Sequence, residues 1–242
     1  MTTTTHPMPP TASKREWLAA RTDLLEKEKA LTRMRSALAA ERRRLPMVEI
    51  DASYRFDGPS GALSLLDLFE GRRQLIVYHF MFDPEWEKGC VGCTGYVDAL
   101  SPVDLETLAE RDTSFVLVSR SPLEKLERYR AARGWPFRWV SSFGSDFNYD
   151  FHATLDAAVA PVVSNYREAP VGEEPRGLSS GEVPGLSVFF RDGDRIHHTY
   201  STFARGCEEL TDSYALLDIT PYGRQEDWEH SPAGWPQRPT YG

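Results

Sequence analysis

Two cysteines three residues apart, Cys90 and Cys93, are the residues of this 242-residue sequence best suited to chemistry. They follow an apolar run that ends at Phe82 and precede a predicted helix that starts near Thr94. A thiol at a helix start faces unpaired backbone N–H groups and the positive end of the helix dipole, which favour the thiolate. Such a pair can close a disulfide, relay electrons or hold a soft metal ion.

The order of the two cysteines predicts different roles for them. Cys90 lies nearer the helix start, so we expect its thiol to be more acidic and more exposed than that of Cys93. Attack by the Cys90 thiolate on a disulfide or a peroxide, resolved by Cys93, is the mechanism of thiol exchange. The leading hypothesis is therefore a thiol-dependent oxidoreductase that needs no cofactor and acts on a small-molecule or protein thiol or disulfide.

Composition and charge exclude several other classes of protein. The net charge is −8, which disfavours binding to nucleic acid because that affinity rests on basic contacts to phosphate. Three cysteines are too few for a secreted disulfide framework. The longest nearly uncharged apolar run has about nine residues, roughly half of a membrane-spanning helix, and the first ten residues contain no apolar signal segment. We expect a cytoplasmic protein without a membrane partner.

Histidines support an alternative hypothesis, a metal site. Two thiolates and an imidazole suit copper or zinc. Successive strand residues face opposite sides of a sheet, so only one of two adjacent histidines in the predicted hairpin can approach the cysteines. The histidines available are His79, His152, His197 and His198.

The N-terminal part predicts a tail and a long helical arm. Residues 1–12 are rich in Thr and Pro and are expected to be disordered. Ser13 and Glu16 form a capping-box pattern that starts a helical arm over residues 13–45. Large apolar residues recur every seven positions, but the positions three residues after them hold both polar and apolar residues. This pattern fits a helix that packs along the body of its own or a neighbouring subunit. We expect a homodimer through this helix.

Residues 46–220 predict one α/β domain, followed by an extended tail over 221–242. Strands alternate with helices and end in an antiparallel hairpin, which indicates a mixed sheet with helices on both faces, the thioredoxin-like arrangement. One helix is expected from the cysteines to about Glu110, another over Ala153–Val163, and a closing helix over Glu208–Leu217. Residues 165–183, most clearly from Glu168 onward, are expected to form an exposed insertion.

Several stretches resemble known families. Phe115–Tyr129 with Gly134–Phe137 resembles a strand–helix–strand unit of peroxiredoxins, and Val183–Gly193 resembles the thioredoxin segment in which a cis-proline precedes a hairpin strand. From Ser13 to Arg224 the chain also resembles a bacterial thioredoxin-like family known as domain of unknown function 899. The motifs that carry this second resemblance are Tyr78–Phe82, Gly89–Cys93, Trp139–Asp150 and His198–Gly206.

The resemblance implies further site residues. A cis peptide bond before Pro184 would place its backbone beside the cysteines, so Pro184 joins Cys90 and Cys93 as a candidate catalytic residue. His198 is favoured as the metal ligand because it begins a family-like motif, and His79 and His152 are less favoured. The combined fold expectation is a peroxiredoxin-type thioredoxin-like domain. The copper alternative resembles the Sco-type copper chaperones, which place two cysteines and a distant histidine on this fold.

Residues near the cysteines depart from both well-known chemistries. Thioredoxins carry Trp directly before the first Cys, whereas Trp86 lies four residues before it, and Gly92 replaces the Pro before Cys93. Peroxiredoxins carry Pro and Thr seven and three residues before their reactive Cys. Here Pro84 lies six residues before it and Glu87 takes the Thr position. A copper-dependent oxidase therefore stays open beside the thiol hypothesis.

Overall fold

The structure, a computed structural model, describes residues 7–51, 53–168 and 180–237. These residues form two compact units, one containing the chain up to residue 46 and from 216 onward, the other residues 47–215. The predicted arm belongs to the first unit and the cysteine pair to the second. Among the described residues, no helix combines the length and apolar character that crossing a membrane requires.

Helices and strands of the described residues are close to the expected order. The α-helices are Lys14–Arg42 (α1), Leu65–Leu68 (α2), Val91–Asp98 (α3), Pro102–Glu110 (α4), Leu123–Arg133 (α5), Phe147–Asp150 (α6) and Asp212–Asp218 (α7). The strands are Val48–Glu49 (β1), Arg55–Gly58 (β2), Gly61–Ser64 (β3), Gln74–His79 (β4), Thr113–Ser119 (β5), Trp139–Ser141 (β6), Thr154–Asp156 (β7), Val163–Ser164 (β8), Arg167–Glu168 (β9), Ser180–Glu182 (β10), Gly185–Asp192 (β11) and Arg195–Phe203 (β12).

The central sheet has eight strands in the order β1-β12-β11-β4-β5-β6-β2-β3. Strands β4, β5 and β6 are parallel to one another, whereas β11 is antiparallel to β4 and β12 is antiparallel to β11. The strand that leads to the cysteines thus lies between a parallel βαβ neighbour and an antiparallel hairpin. This is the peroxiredoxin-type thioredoxin-like sheet, and the fold prediction is confirmed.

Side chains of β4 divide between two hydrophobic cores. Leu75 and Val77 pack into one core, together with Phe147 of α6 and Phe189 of β11. Tyr78 belongs to the other core, and so does Cys93 after the strand. Because successive strand residues face opposite sides of the sheet, neighbouring positions on β4 serve different faces. The sheet therefore separates the cysteine face from the face that carries the first core.

The helix after the cysteines is two helices rather than the single one expected. α3 ends at Asp98, and α4 begins at Pro102 with Ser101 as its N-cap. The Ser101 hydroxyl accepts a hydrogen bond from the backbone N–H of Val103, and the Asp104 carboxylate accepts from the Ser101 N–H. Proline suits a first helical position because it lacks an N–H that would otherwise stay unpaired. The prediction missed this Ser-Pro start signal.

Two other predicted helices are corrected by the structure. Within Ala153–Val163, residues of β7 form a strand that pairs antiparallel with β10. The predicted closing helix is a 3-10 helix over Ala204–Leu210 followed by α7. Of the predicted insertion over 165–183, residues 169–179 lie outside the described residues, while β10 near its end is part of the body.

The start of α1 follows the predicted capping box. The Ser13 hydroxyl accepts from the Glu16 N–H, and the Glu16 carboxylate accepts from the Ser13 N–H. The predicted arm helix is thereby confirmed over Lys14–Arg42, and none of its residues is buried.

Candidate active site

Cys90 occupies the N-cap position of α3, as expected from the sequence. Its backbone N–H donates to the carbonyl of Met81 at 3.1 Å, which ties the cysteine to the end of β4. Its own carbonyl accepts from the Thr94 hydroxyl at 2.8 Å. Gly89, just before it, lies against the Phe80 ring, where an added Cβ would come within 2.6 Å of a ring carbon. Only glycine fits that approach without displacing the ring.

The Cys90 thiol is partly exposed and has a low pKa of about 6, against 9.0 ordinarily. A hydrogen bond from the Cys93 thiol lowers this pKa most, and the backbone N–H groups of Cys93 and Gly92 lower it further. Burial opposes the shift but does not cancel it. Cys90 is therefore largely a thiolate at neutral pH, the reactive form of the residue.

Cys93 has the opposite character. It is only 2% exposed, and burial raises the pKa of its thiol well above the ordinary value, helped by its hydrogen bond to Cys90. The Met81 N–H donates to its sulfur at 3.5 Å, and the Tyr78 hydroxyl also bonds it. Tyr78 stacks on Tyr96 of α3 at 4.2 Å between ring centroids. Cys93 is thus a protonated, buried partner of an exposed thiolate.

A cluster around Arg120 positions the loop that leads to Cys90. The Arg120 guanidinium donates to Asp83 in the loop at 2.6 Å, to Glu182 of β10 at 2.8 Å and to the Tyr149 hydroxyl at 3.1 Å. Glu182 is 3% exposed and also accepts from the Thr154 hydroxyl. Arg120 therefore joins the loop before Cys90 to strand β10 through a buried carboxylate.

Two further side chains tie down the same loop. Lys125 at the start of α5 donates to the carbonyls of Pro84 and Trp86, at 2.6 and 2.8 Å. The Ser121 hydroxyl donates to the carbonyl of Asp83 at 2.9 Å. The approach to Cys90 is thus fixed by polar contacts to the chain that follows β5.

Replacing Glu182 by Gln should lower the free energy of unfolding by about 1.5–3 kcal/mol, the usual value of a hydrogen bond to a charged group. The change removes the buried charge that Arg120 pairs with. Urea unfolding at neutral pH measures it. The matched control is Glu124→Gln, whose side chain is 92% exposed and which should change stability by under about 0.5 kcal/mol. Equal stabilities of the two variants would contradict the role of this cluster.

His198 of the hairpin lies on the other side of the sheet from the cysteines. A β-bulge makes Val188 pair with Tyr200 and Phe189 with His198, so Thr199 is an extra residue in β12. The bulge turns His198 onto the same face as Ser201, although an odd spacing in a regular strand would place them on opposite faces. That face is the one lined by Phe189, which belongs to the first core.

Four polar side chains form a chain of hydrogen bonds there. The His79 Nε2 lies 2.8 Å from the Ser187 hydroxyl, the two serine hydroxyls are 2.8 Å apart, and Ser201 lies 2.7 Å from His198 Nε2. The His79 ring is fully buried near Phe147, and its Nδ1 has no hydrogen-bond partner among the described residues. Burial, and then the nearby His198, lower the pKa of His79 to about 3.

These positions correct the predicted metal ligands. Cys90 and Cys93 belong to one face of the sheet, whereas the imidazole of His198 bonds Ser201 on the other. Within the described ranges, no three His, Cys, Asp or Glu side chains are arranged to hold a metal ion. The structure does not assemble the Cys90–Cys93–His198 set, and His79 is engaged in the histidine–serine chain.

The remaining two histidines do not complete a cysteine site either. His152 has a positive φ of 54° and packs its ring near Phe203. His197 lies 3.9 Å from the Glu49 carboxylate across the β1–β12 pairing. Both are accounted for by contacts away from the cysteine pair.

Pro184 also differs from the role considered for it. The peptide bond before Pro184 is trans, as are the other described peptide bonds, so the expected cis-proline is wrong. The Pro184 carbonyl accepts from the Ala204 N–H, which closes the end of the β11–β12 hairpin. Cys207 is buried in the same core as Cys93, and burial raises the pKa of its thiol to about 12. Such a thiol is unreactive.

Sequence reasoning missed the buried polar residues of the Arg120 cluster and of the histidine–serine chain. Glu182 falls in the segment expected to be exposed, yet it is buried and paired with Arg120. Ser187 and Ser201 looked like ordinary strand residues, and no glycine marks the bulge at Thr199 that brings His198 onto the same face as these serines. The sequence does contain one signal for these residues: a carboxylate and two hydroxyls lie inside or beside strands that are otherwise apolar. Because buried polar groups require partners, such residues indicate hydrogen-bonded clusters.

A family model described as "Bacterial protein of unknown function (DUF899)" matches residues 6–241. The chain belongs to this family. No curated protein matches the DUF899 sequence at a significant level.

The solved structures that the comparison matches to this DUF899 chain have low sequence identity to it. They include a cysteine-to-serine mutant of Xylella fastidiosa PrxQ (12% identity, TM-score 0.43, covering 72% of this chain and 97% of that chain). Another is peroxidoxin BcpB from Mycobacterium tuberculosis (14% identity, TM-score 0.40, covering 66% of this chain and 85% of that chain). A third is a putative protein disulfide isomerase from Bacteroides thetaiotaomicron (12% identity, TM-score 0.38, covering 70% of this chain and 90% of that chain).

Proposed function

We propose that this DUF899 protein is a thiol-dependent oxidoreductase in which Cys90 is the nucleophile and Cys93 the resolving cysteine. The observation that carries the proposal is the asymmetry of the pair. One thiol is partly exposed at a helix start with its pKa lowered to about 6, and the other is buried with its pKa raised and hydrogen-bonded to the first. Thiol exchange requires such a pair: a reactive thiolate that attacks the substrate and a second thiol that resolves the mixed disulfide.

The reaction with a disulfide substrate follows from that asymmetry. The Cys90 thiolate attacks one substrate sulfur, the substrate S–S bond breaks, and one substrate thiolate leaves. Cys93 then attacks the Cys90 sulfur of the mixed disulfide, its proton passes to the second leaving thiolate, and the Cys90–Cys93 disulfide forms. The substrate gains two electrons and the cysteine pair loses two. An external dithiol reduces the pair again by the reverse exchange.

The second step requires Cys93 to lose its proton. Part of the raised pKa of Cys93 comes from the neighbouring Cys90 charge and from the hydrogen bond between the two sulfurs. Both influences end once Cys90 is bonded to substrate, and the Tyr78 hydroxyl and the Met81 N–H stay in place to stabilise a Cys93 thiolate. The pair is thus arranged so that the first step makes the second one easier.

The test is a redox titration followed by mass spectrometry. In glutathione buffers of rising oxidation, the protein should lose two hydrogens in one reversible step, and peptide mapping should find the Cys90–Cys93 disulfide. Cys207→Ser, the control, should titrate as the wild type does because that thiol is buried. Thiols that all stay alkylatable under conditions that oxidise a reference Cys-x-x-Cys protein would refute the proposal.

A further inference from the structure

Helix α1 presents an exposed apolar stripe. Trp17, Leu24, Leu31 and Leu38 recur every seven residues and are 47–59% exposed, and no residue of α1 is buried. At about 1.5 Å per residue, the helix is roughly 43 Å long. An exposed apolar stripe of that length marks an interaction surface.

The stripe is a poor match for a second copy of itself. In a two-stranded coiled coil, a second apolar position accompanies each of these residues three places later. Those positions hold Ala20, Lys27, Met34 and Glu41, so two of the four are charged. A narrow stripe of single large side chains instead fits a groove.

The body contains an apolar groove of about 430 Å³ between the sheet and helices α3 and α4. Its lining includes Leu100, Leu105, Leu108, Phe115, Val188 and Leu210. Leu210, which lines the groove, is 47% exposed. In helix α4, which forms one wall, Val103 is 61% exposed and no residue is buried. The groove therefore has open apolar walls that extend onto the surface.

Charge favours α1 as the occupant of this groove. Residues 14–44 carry ten Lys or Arg against five Asp or Glu. Helix α4, which forms one wall, carries three exposed acids (Asp104, Glu106 and Glu110) and no base. A basic amphipathic helix and an acidic-rimmed apolar groove are complementary, which steers association and fixes orientation.

We infer that α1 of one copy packs its Trp17–Leu38 stripe into the α3–α4 groove of a second copy, giving a dimer with two equivalent arm–groove contacts. Exchange of the same helix between two copies gives a closed, symmetric dimer and buries both the α1 stripe and the groove of each copy. The inference is independent of the cysteine chemistry, since neither the stripe nor the groove lining includes Cys90 or Cys93.

A photoreactive residue in the arm tests this assignment on the full-length chain. With p-benzoylphenylalanine in place of Leu24, irradiation should give a band of twice the chain mass, and peptide mapping should join the arm to α4 or to the segment around Leu210. The matched control carries the same probe in place of Glu26, on the opposite side of the helix, and should give several-fold less of this product. Cross-links from arm to arm, or to the groove without a doubled mass, would overturn the inference.

The oligomeric state supplies a second measurement. Leu24→Asp with Leu31→Asp should halve the mass found by light scattering, while circular dichroism checks that α1 stays helical. Glu26→Gln with Glu28→Gln, two changes among the polar residues of the same helix, should leave a dimer. A wild-type chain that is monomeric throughout the micromolar range, or a double Asp variant that stays dimeric, would rule out the arm–groove contact.

Discussion

At pH 7, iodoacetamide should alkylate Cys90 at least ten times faster than Cys93 or Cys207. With a pKa of about 6, roughly 90% of Cys90 is thiolate at that pH, against about 1% for a cysteine with the ordinary pKa of 9.0. The other two thiols are buried and their pKa values are raised. The rate at Cys90 should rise with pH through an inflection near 6 and then level off. Peptide mapping after timed quenching measures all three sites together.

Variants separate the causes of this reactivity. Cys90→Ser should abolish the fast alkylation and any disulfide exchange, leaving the slow reaction of buried thiols. Cys93→Ala should keep a reactive Cys90 but move its inflection upward, because the hydrogen bond from the Cys93 thiol is the largest cause of its lowered pKa and alanine has no donor. An inflection above pH 8 in the wild type, or one that Cys93→Ala leaves in place, would contradict the described electrostatics.

Acid should destabilise the protein through His79. The pKa of this ring is about 3 in the folded state against 6.5 ordinarily, because it is buried. Above pH 6.5 the His79 ring is neutral in both the folded and the unfolded chain. Below pH 6.5 the ring binds a proton in the unfolded chain but not in the folded one. The free energy of unfolding therefore falls by up to about 1.4 kcal/mol per pH unit between 6.5 and 3, on the order of 4 kcal/mol in all.

The measurement is urea unfolding at pH 7 and pH 5, where most carboxylates stay ionised. Wild type should lose about 2 kcal/mol more over this interval than His79→Gln, whose amide can keep the bond to Ser187 but does not titrate. Burial also lowers the pKa values of His198 and His152. Both residues are present in both proteins, so their contributions to the pH dependence of stability cancel in the comparison. His230→Gln, an exposed control, should follow the wild type. Equal pH dependence in wild type and His79→Gln would refute this role.

Local sequence patterns were sufficient for the positions of the main elements. The run that becomes β4 is apolar on both sides because helices and core cover both sides of the sheet, and the Asp192-Gly193 turn specifies the β11–β12 hairpin. The placement of Cys90 at the start of α3 followed from the same reasoning. These features depend on neighbouring residues, which a sequence displays directly.

The misplaced residues depend on contacts between distant parts of the chain. A single extra residue at Thr199 decides which face His198 occupies, and no turn residue marks that bulge. Glu182 is buried because Arg120, 62 positions earlier, supplies its counter-charge. The Ala153–Val163 segment has helix-compatible residues, but pairing with β10 determines its conformation.

The N-cap position of Cys90 also bears on the direction of electron flow. Helix α3 has no acidic residue in its first turn, so the Cys90 thiolate is the anion placed at that helix end. Ionisation at pH 7 stabilises the dithiol over the disulfide by up to about 1.4 kcal/mol before solvent screening, equivalent to about 30 mV in reduction potential. Within the proposed chemistry, the external dithiol therefore reduces the oxidised pair more readily than it would a pair of ordinary acidity, and the reduced pair is a correspondingly weaker reductant of the disulfide substrate.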